Sequence, residues 1–170
     1  MKLSDIANVL DFEHDNGQLI EIGLTTVNIP DRKILQSYCL PIKPDFELSP
    51  QITELTGWTA GKLRRQGVEL VEATRRLVDL YGFSNRLLVS DSSDEVPSLE
   101  QSLNVSFSPH RLNVSILFAL FTGKPINLGL EIMLAEFGMQ FEGRPHSGVD
   151  DSKNIARLFL QLLPEVTTQT

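Results

Sequence analysis

Two carboxylates, Asp11 and Glu13, close an otherwise apolar run, Val9-Leu10-Asp11-Phe12-Glu13. Residues two apart on a strand face the same way, so both acids would sit on one side. Such a pair repels itself and loses hydration, which costs free energy unless a cation or a donor compensates. Far downstream, His146 stands on a short loop and Asp151 follows at the start of an apolar helix. A third acidic group, Ser90-Asp91-Ser92-Ser93-Asp94-Glu95, follows an apolar strand, where open α/β sheets place their ligands. Hard oxygen donors suit magnesium or manganese, not zinc. A histidine beside them can take a proton from water near neutral pH. Joined by the fold, these residues would make a two-metal site for cleaving phosphodiesters.

Taken singly, each residue also has a structural reading. Asp11 and Glu13 could be an exposed strand end, Asp94 a helix N-cap, and Asp151 a favourable acid in a first helical turn. His146 could be a surface loop residue. His14 adjoins the strand acids as a ligand or a supporting group, whereas His110 follows Pro109 with no acidic partner in sequence.

The elements that must position these groups are legible in outline. Residues 7–13, 19–29 and 33–42 read as strands of an antiparallel meander. Asp15-Asn16-Gly17-Gln18 and Pro30-Asp31-Arg32 are the turns between them. Ser49 as N-cap, Pro50 in the first turn and Gly57 as stop frame a helix. Val68, Val71, Leu77, Val78 and Tyr81 form an apolar stripe that ends at Gly82. Residues 86–90 read as a buried strand, and helices are expected near 95–103, 113–122 and 127–137, with Gly138 as a stop. The last helix begins at Ser147, with Asp150 placed to complete a capping box. Ile155, Phe159, Leu162 and Leu163 then recur at helical spacing, and a polar tail occupies about 165–170. This order predicts one mixed α/β domain over residues 1–170.

The 170 residues are 41% hydrophobic and 22% charged, ordinary for a soluble domain. No apolar run is long enough for a membrane helix, and Met1-Lys2-Leu3-Ser4-Asp5 does not read as a signal peptide. A cytoplasmic protein with no membrane partner is expected. The single cysteine, Cys39, is expected to be a buried structural thiol. A net charge of −7 argues against a general nucleic-acid binder unless bound cations invert the local charge. Basic residues group at Lys62, Arg64 and Arg65, at Arg75 and Arg76, and at Lys153 and Arg157. The Arg75–Arg76 group reads as a solvated helix face.

With these motifs in this order, the chain resembles the DnaQ-like 3′-to-5′ exonucleases of the DEDDh type, nearest to their RNase T and histone-mRNA exonuclease-like group. The match is carried by Leu10-Asp11-Phe12-Glu13 with Ile20-Glu21-Ile22-Gly23, and by Ser49-Pro50-Gln51-Ile52-Thr53-Glu54-Leu55-Thr56-Gly57. The acidic segment after the strand follows, with Leu99-Glu100-Gln101, and Gly143-Arg144-Pro145-His146-Ser147-Gly148-Val149-Asp150-Asp151-Ser152-Lys153-Asn154-Ile155-Ala156-Arg157 completes it. The resemblance implies an RNase H-like mixed sheet, an antiparallel meander plus parallel strands, flanked by helices. It implies that Asp11, Glu13, Asp94 and Asp151 hold two divalent cations, Mg2+ or Mn2+, with His146 as general base. Spacing to Leu99 favours Asp94 as the third acid, and Asp91 and Glu95 stay open. Ser147 stands where the tyrosine variant of the superfamily would need Tyr. Phe12, Leu55, Thr56 and Trp58 are expected to contact the terminal nucleotide, Trp58 by stacking on a base. The expected partners are single-stranded RNA or DNA 3′ ends, and the product a nucleoside 5′-monophosphate. Two other readings share the fold: a catalytically impaired module that binds nucleic acid or protein, and a phosphodiesterase acting on small nucleotides.

Overall fold

Alternation along the first strand decides which face of the sheet carries the chemistry. In the computed structural model, residues 4–126 and 128–164 are described; the polar tail expected at 165–170 lies outside them. Strand β1, Ile6–Asp15, pairs antiparallel with β2, Gln18–Asn28, across the Asn16-Gly17 turn, and β2 pairs antiparallel with β3, Lys33–Pro41. On its other edge β1 pairs in parallel with β4, Leu87–Ser90, which pairs in parallel with β5, Arg111–Asn113. The sheet order is β3-β2-β1-β4-β5. This is the mixed sheet flanked by helices that the sequence predicts.

Helices cover both faces. Ala7, Val9, Val27 and Val89 are buried with residues of α5, Val114–Thr122, α6, Leu130–Ala135, and α7, Gly148–Leu162. Leu10, Ile22, Leu24 and Leu88 point the other way, into a second cluster with α3, Leu70–Asp79, and α4, Glu95–Leu103. Strand side chains alternate between faces, so Asp11 and Glu13 follow Ala7 and Val9 onto the α7 face, whereas Phe12 packs against the second cluster.

The start of α7 lies unusually close to the sheet. A Cβ on Gly23 would overlap the Gly148 carbonyl, so β2 needs glycine there for the helix to seat. Thr25 Oγ1 and Ser152 Oγ hydrogen-bond at 3.0 Å in the same buried seam. Helix α1, Pro50–Thr56, is fixed at its other end. Ser49 accepts from the Ile52 N–H, and buried Asp15 accepts from the Ser49 N–H at 2.6 Å and its hydroxyl at 2.9 Å.

Several elements differ from the sequence reading. Helix α2, Ala60–Gln66, and strand β5 are additional. Val71 is 82% exposed, so it lies off the buried stripe of α3. The helix expected over 127–137 is confined to Leu130–Ala135, and Asn127 is outside the described residues. Arg75 and Arg76 both pair with Glu72 on an exposed face, as expected. Cys39 is exposed on edge strand β3 rather than buried; its thiol donates to Glu21 Oε1 at 3.4 Å. Among the described residues, no helix is long and apolar enough to cross a membrane.

Candidate active site

Three separate pieces of chain bring acids to Asp11. Strand β1 supplies Asp11 and Glu13, and the first turn of α7 supplies Asp151; ligand oxygens of these three lie within 4.8 Å of one another. The segment after β4 supplies Asp91 and Glu95, whose oxygens form a second such group with Asp11. Asp11 is common to both. Asp94 belongs to neither: it is exposed at the N-cap of α4, and its side chain makes no capping hydrogen bond. Spacing to Leu99 therefore selects an acid that stands outside both groups, whereas Asp91 and Glu95, the alternatives left open, stand inside one. Successive helical residues are rotated by about 100°, so a one-residue offset at the start of α4 turns the carboxylate from the sheet to solvent.

The electrostatics of the cluster are those of crowded, desolvated acids. Burial holds the Asp11 carboxyl well above the usual range, helped by the charges of Glu95, Asp151, Glu13 and Asp91. Burial and then the facing Glu21 push Glu13 up to about 7. Burial and repulsion from Asp91 push Glu95 up to about 9. Asp151 rises to about 7, chiefly by burial and then by Glu13, with His146 opposing the shift. Asp91 is raised by burial. Glu95 Oε2 is buried with no hydrogen-bond partner. A polar atom so placed is costly unless something absent from the protein itself satisfies it. Hard carboxylate oxygens in two overlapping groups, one of them orphaned, fit divalent cations of the magnesium type.

His146 reaches this site on a tight turn. The Ser147 N–H donates to the Arg144 carbonyl at 3.3 Å, with Pro145 second in the turn and His146 third at φ 60°. Proline followed by a positive φ is the pattern of a type II turn, whose third position favours glycine or asparagine. A histidine there is strained, and such strain concentrates at functional sites. His146 lies near enough to Asp151 to oppose the rise of its carboxyl, and its side chain is exposed. Asp150 does not complete a capping box with Ser147. Its carboxylate accepts from the Arg144 N–H at 3.0 Å and so closes the loop onto the helix.

A cavity of about 330 Å³ is lined by none of the five acids but adjoins them in the chain, through Glu21, which pairs with Glu13, and through Ser147 and Asp150; Thr56, Trp58, Lys62 and Arg144 also line it. Of the residues expected to contact a nucleotide, Thr56 and Trp58 line it. Leu55 is exposed just outside, and Phe12 lies on the opposite face of the sheet, edge-on to His14 at 5.1 Å. Neither His14 nor His110 joins a carboxylate group. A larger cavity of about 460 Å³, lined by residues such as Gln18, Lys43 and Leu70, contains none of these groups. The chemistry, not the volume, picks the site.

Glu21 is the residue whose role sequence reasoning missed. It is 1% exposed. Its carboxylate accepts from the Trp58 indole N–H, the Cys39 thiol and the Val149 N–H, the last at 3.2 Å. The signal was present: a lone acid inside Leu19-Ile20-Glu21-Ile22 must be paired if the strand is buried.

Acids converge from the first strand, from the turn after a parallel strand and from the last helix, on a five-stranded mixed sheet of the RNase H-like architecture. The chain is 28% identical over 178 residues to 3′-5′ exoribonuclease 1 of Rattus norvegicus, a match covering 93% of the chain and 49% of that protein. The human protein of the same name is 26% identical over similar spans. The chain thus spans about half the length of the curated relatives it matches. Among solved structures, a 3′-exonuclease seen in 3′-end-specific recognition of a histone mRNA stem-loop superposes with a TM-score of 0.82 at 24% identity. It covers 95% of this chain and 83% of its own. The nuclease domain of 3′hExo, a DEDDh family member bound to rAMP, superposes with a TM-score of 0.80 at 24% identity, covering 93% and 91%. No protein-family model matches the chain. The fold and the sequence matches agree with the resemblance read from the motifs: the chain is similar over most of its length to 3′-5′ exoribonuclease 1 and shares the fold of these 3′-exonucleases.

Proposed function

We propose that the chain is a metal-dependent 3′-to-5′ exonuclease acting on single-stranded RNA or DNA ends and releasing nucleoside 5′-monophosphates. The observation that carries this reading is the convergence of four other acids on Asp11 near a histidine-bearing turn, with Glu95 Oε2 buried and unpaired. Asp11, Glu13 and Asp151 would hold one divalent cation, and Asp11, Asp91 and Glu95 a second, Mg2+ or Mn2+. Bound there, the cations would supply Lewis acidity to the attacking water and the leaving 3′ oxygen. His146 takes the proton from that water. Thr56 and Trp58 bound the recess where the terminal nucleoside sits, and the indole, tethered to Glu21, offers a fixed surface for a base.

The charge pattern favours short single-stranded ends over long duplexes. Lys153 and Arg157 are paired with Glu142, Arg64 with Glu47 and Arg111 with Glu100, so these side chains are engaged within the protein. Long nucleic acids gain affinity from unpaired basic tracks. The deciding assay is a 5′-labelled single-stranded oligonucleotide with magnesium, manganese or EDTA. Stepwise shortening from the 3′ end that EDTA abolishes is the expected result. Intact substrate with either metal, alongside retained binding, favours the impaired binding module instead.

A further inference from the structure

The turn that carries His146 rests on one side chain reaching across to another element. The Arg144 guanidinium lies over the C-terminal end of α1 and donates from Nη2 to the carbonyls of Glu54 and Leu55, each at 2.9 Å. These carbonyls are among the last four of α1, which have no partner within the helix. A cation at a helix C-terminus is also favoured by the helix dipole. Gly57, the left-handed C-cap of α1 at φ 77°, makes room: a Cβ there would collide with Arg144 Nη1. The same arginine is the first residue of the His146 turn, its carbonyl accepting from Ser147 and its N–H donating to Asp150.

We propose that Arg144 is a positioning residue, which fixes the His146 turn to the end of α1 and so sets the base relative to the nucleotide recess at Thr56–Trp58. The inference rests on the exonuclease reading for its kinetic consequence, but not for its structural one. Arg144 touches no carboxylate of the cluster. Its action passes through the turn, and His146, already strained at positive φ, has no comparable second anchor on α1 among the described residues. Both hydrogen bonds leave from a single nitrogen, so a lysine ammonium can reproduce part of the contact.

The experiment compares wild type, Arg144→Ala, Arg144→Lys, His146→Ala and the double variant Arg144→Ala/His146→Ala on a 3′-labelled single-stranded oligonucleotide with magnesium. For Arg144→Ala, kcat is expected to fall by about 30- to 100-fold, as small misplacements of catalytic groups do, with the thermal midpoint unchanged. Arg144→Lys recovers part of the loss, and the double variant is no slower than His146→Ala alone, because the arginine acts through the histidine. A kcat for Arg144→Ala within about twofold of wild type, or losses that multiply in the double variant, overturns the proposal. Amide hydrogen exchange on the same proteins keeps the two readings apart. His146 and Ser147 N–H groups are expected to exchange at least about tenfold faster in Arg144→Ala at equal global stability. A wild type without nuclease activity would fail the exonuclease reading alone, whereas unchanged exchange in the variant would fail the positioning role.

Discussion

The third acid of the site is a matter of one residue. Asp94, Asp91 and Glu95 stand within five positions, and only the last two share a group with Asp11. Glu95→Ala is therefore expected to lower kcat by at least about 100-fold, and Asp94→Ala to stay within about twofold of wild type, in the oligonucleotide assay. Loss of activity in Asp94→Ala at normal stability would return the ligand role to the residue that spacing selects. Asp11 invites a second prediction, because it is buried among four other acids. Asp11→Asn removes a charge that the metal-free protein cannot stabilise, so it should raise the thermal midpoint in EDTA while abolishing turnover. A lower midpoint would show that the Asp11 carboxylate is stabilised by donors within the protein. His146→Ala should keep cation affinity, read by calorimetry, and lose most turnover; loss of both would make the histidine a ligand rather than a base.

At the scale of elements, the site depends on how closely α7 seats on β2. Gly23→Ala drives a methyl into the Gly148 carbonyl, and backbone on both sides leaves no flexible side chain to yield. Overpacking of this kind costs at least about 1–3 kcal/mol. The expected outcome is a lower denaturation midpoint together with loss of activity, since Asp151 moves with the helix; wild-type stability would mean that the seam can slide. The elements that were legible in the sequence share a feature: their ends are written in local chemistry. Ser49-Pro50 and Gly57 bound α1, and Asn16-Gly17 turns the first hairpin, as expected. Helix α2 and strand β5 were not legible, because α2 is short and basic with two buried residues, and β5 has three residues held by pairing with β4. The same distinction runs through the site. Asp11, Glu13, His146 and Asp151 sit at positions fixed by strand alternation or by a helix start. The third acid is different: the start of α4 was legible, with Asp94 as its N-cap, but which of the neighbouring acids turns toward Asp11 is set by how the helix packs on the sheet, which local signals do not record.

For the molecule as a whole, 22 acids against 15 lysines and arginines make a surface that repels polyanions except where cations gather. The acid cluster adds a stability cost that depends on pH. Glu13 and Asp151 titrate near 7 in the folded protein and Glu95 near 9, all above their unfolded values. Between the unfolded and folded pKa values the native state binds more protons than the unfolded chain, so stability falls as pH rises. The contribution from the protonated acids is complete below about pH 4 and is lost progressively up to about pH 9. A divalent cation binds only the folded cluster and replaces those protons, so it stabilises most where they have been lost. The midpoint in EDTA is therefore expected to drop between pH 5.5 and pH 8, by at least several degrees for a domain of this size. Millimolar magnesium should restore most of that drop at pH 8 and change little at pH 5.5. Asp11→Asn should remove the response to magnesium, because Asp11 is the carboxylate common to both groups, while the fall with pH in EDTA persists, because burial and other acids raise Glu13, Asp151 and Glu95. A wild-type midpoint that is flat with pH in EDTA would mean that the acids keep their hydration, and the case for cations at this site would lose its electrostatic basis.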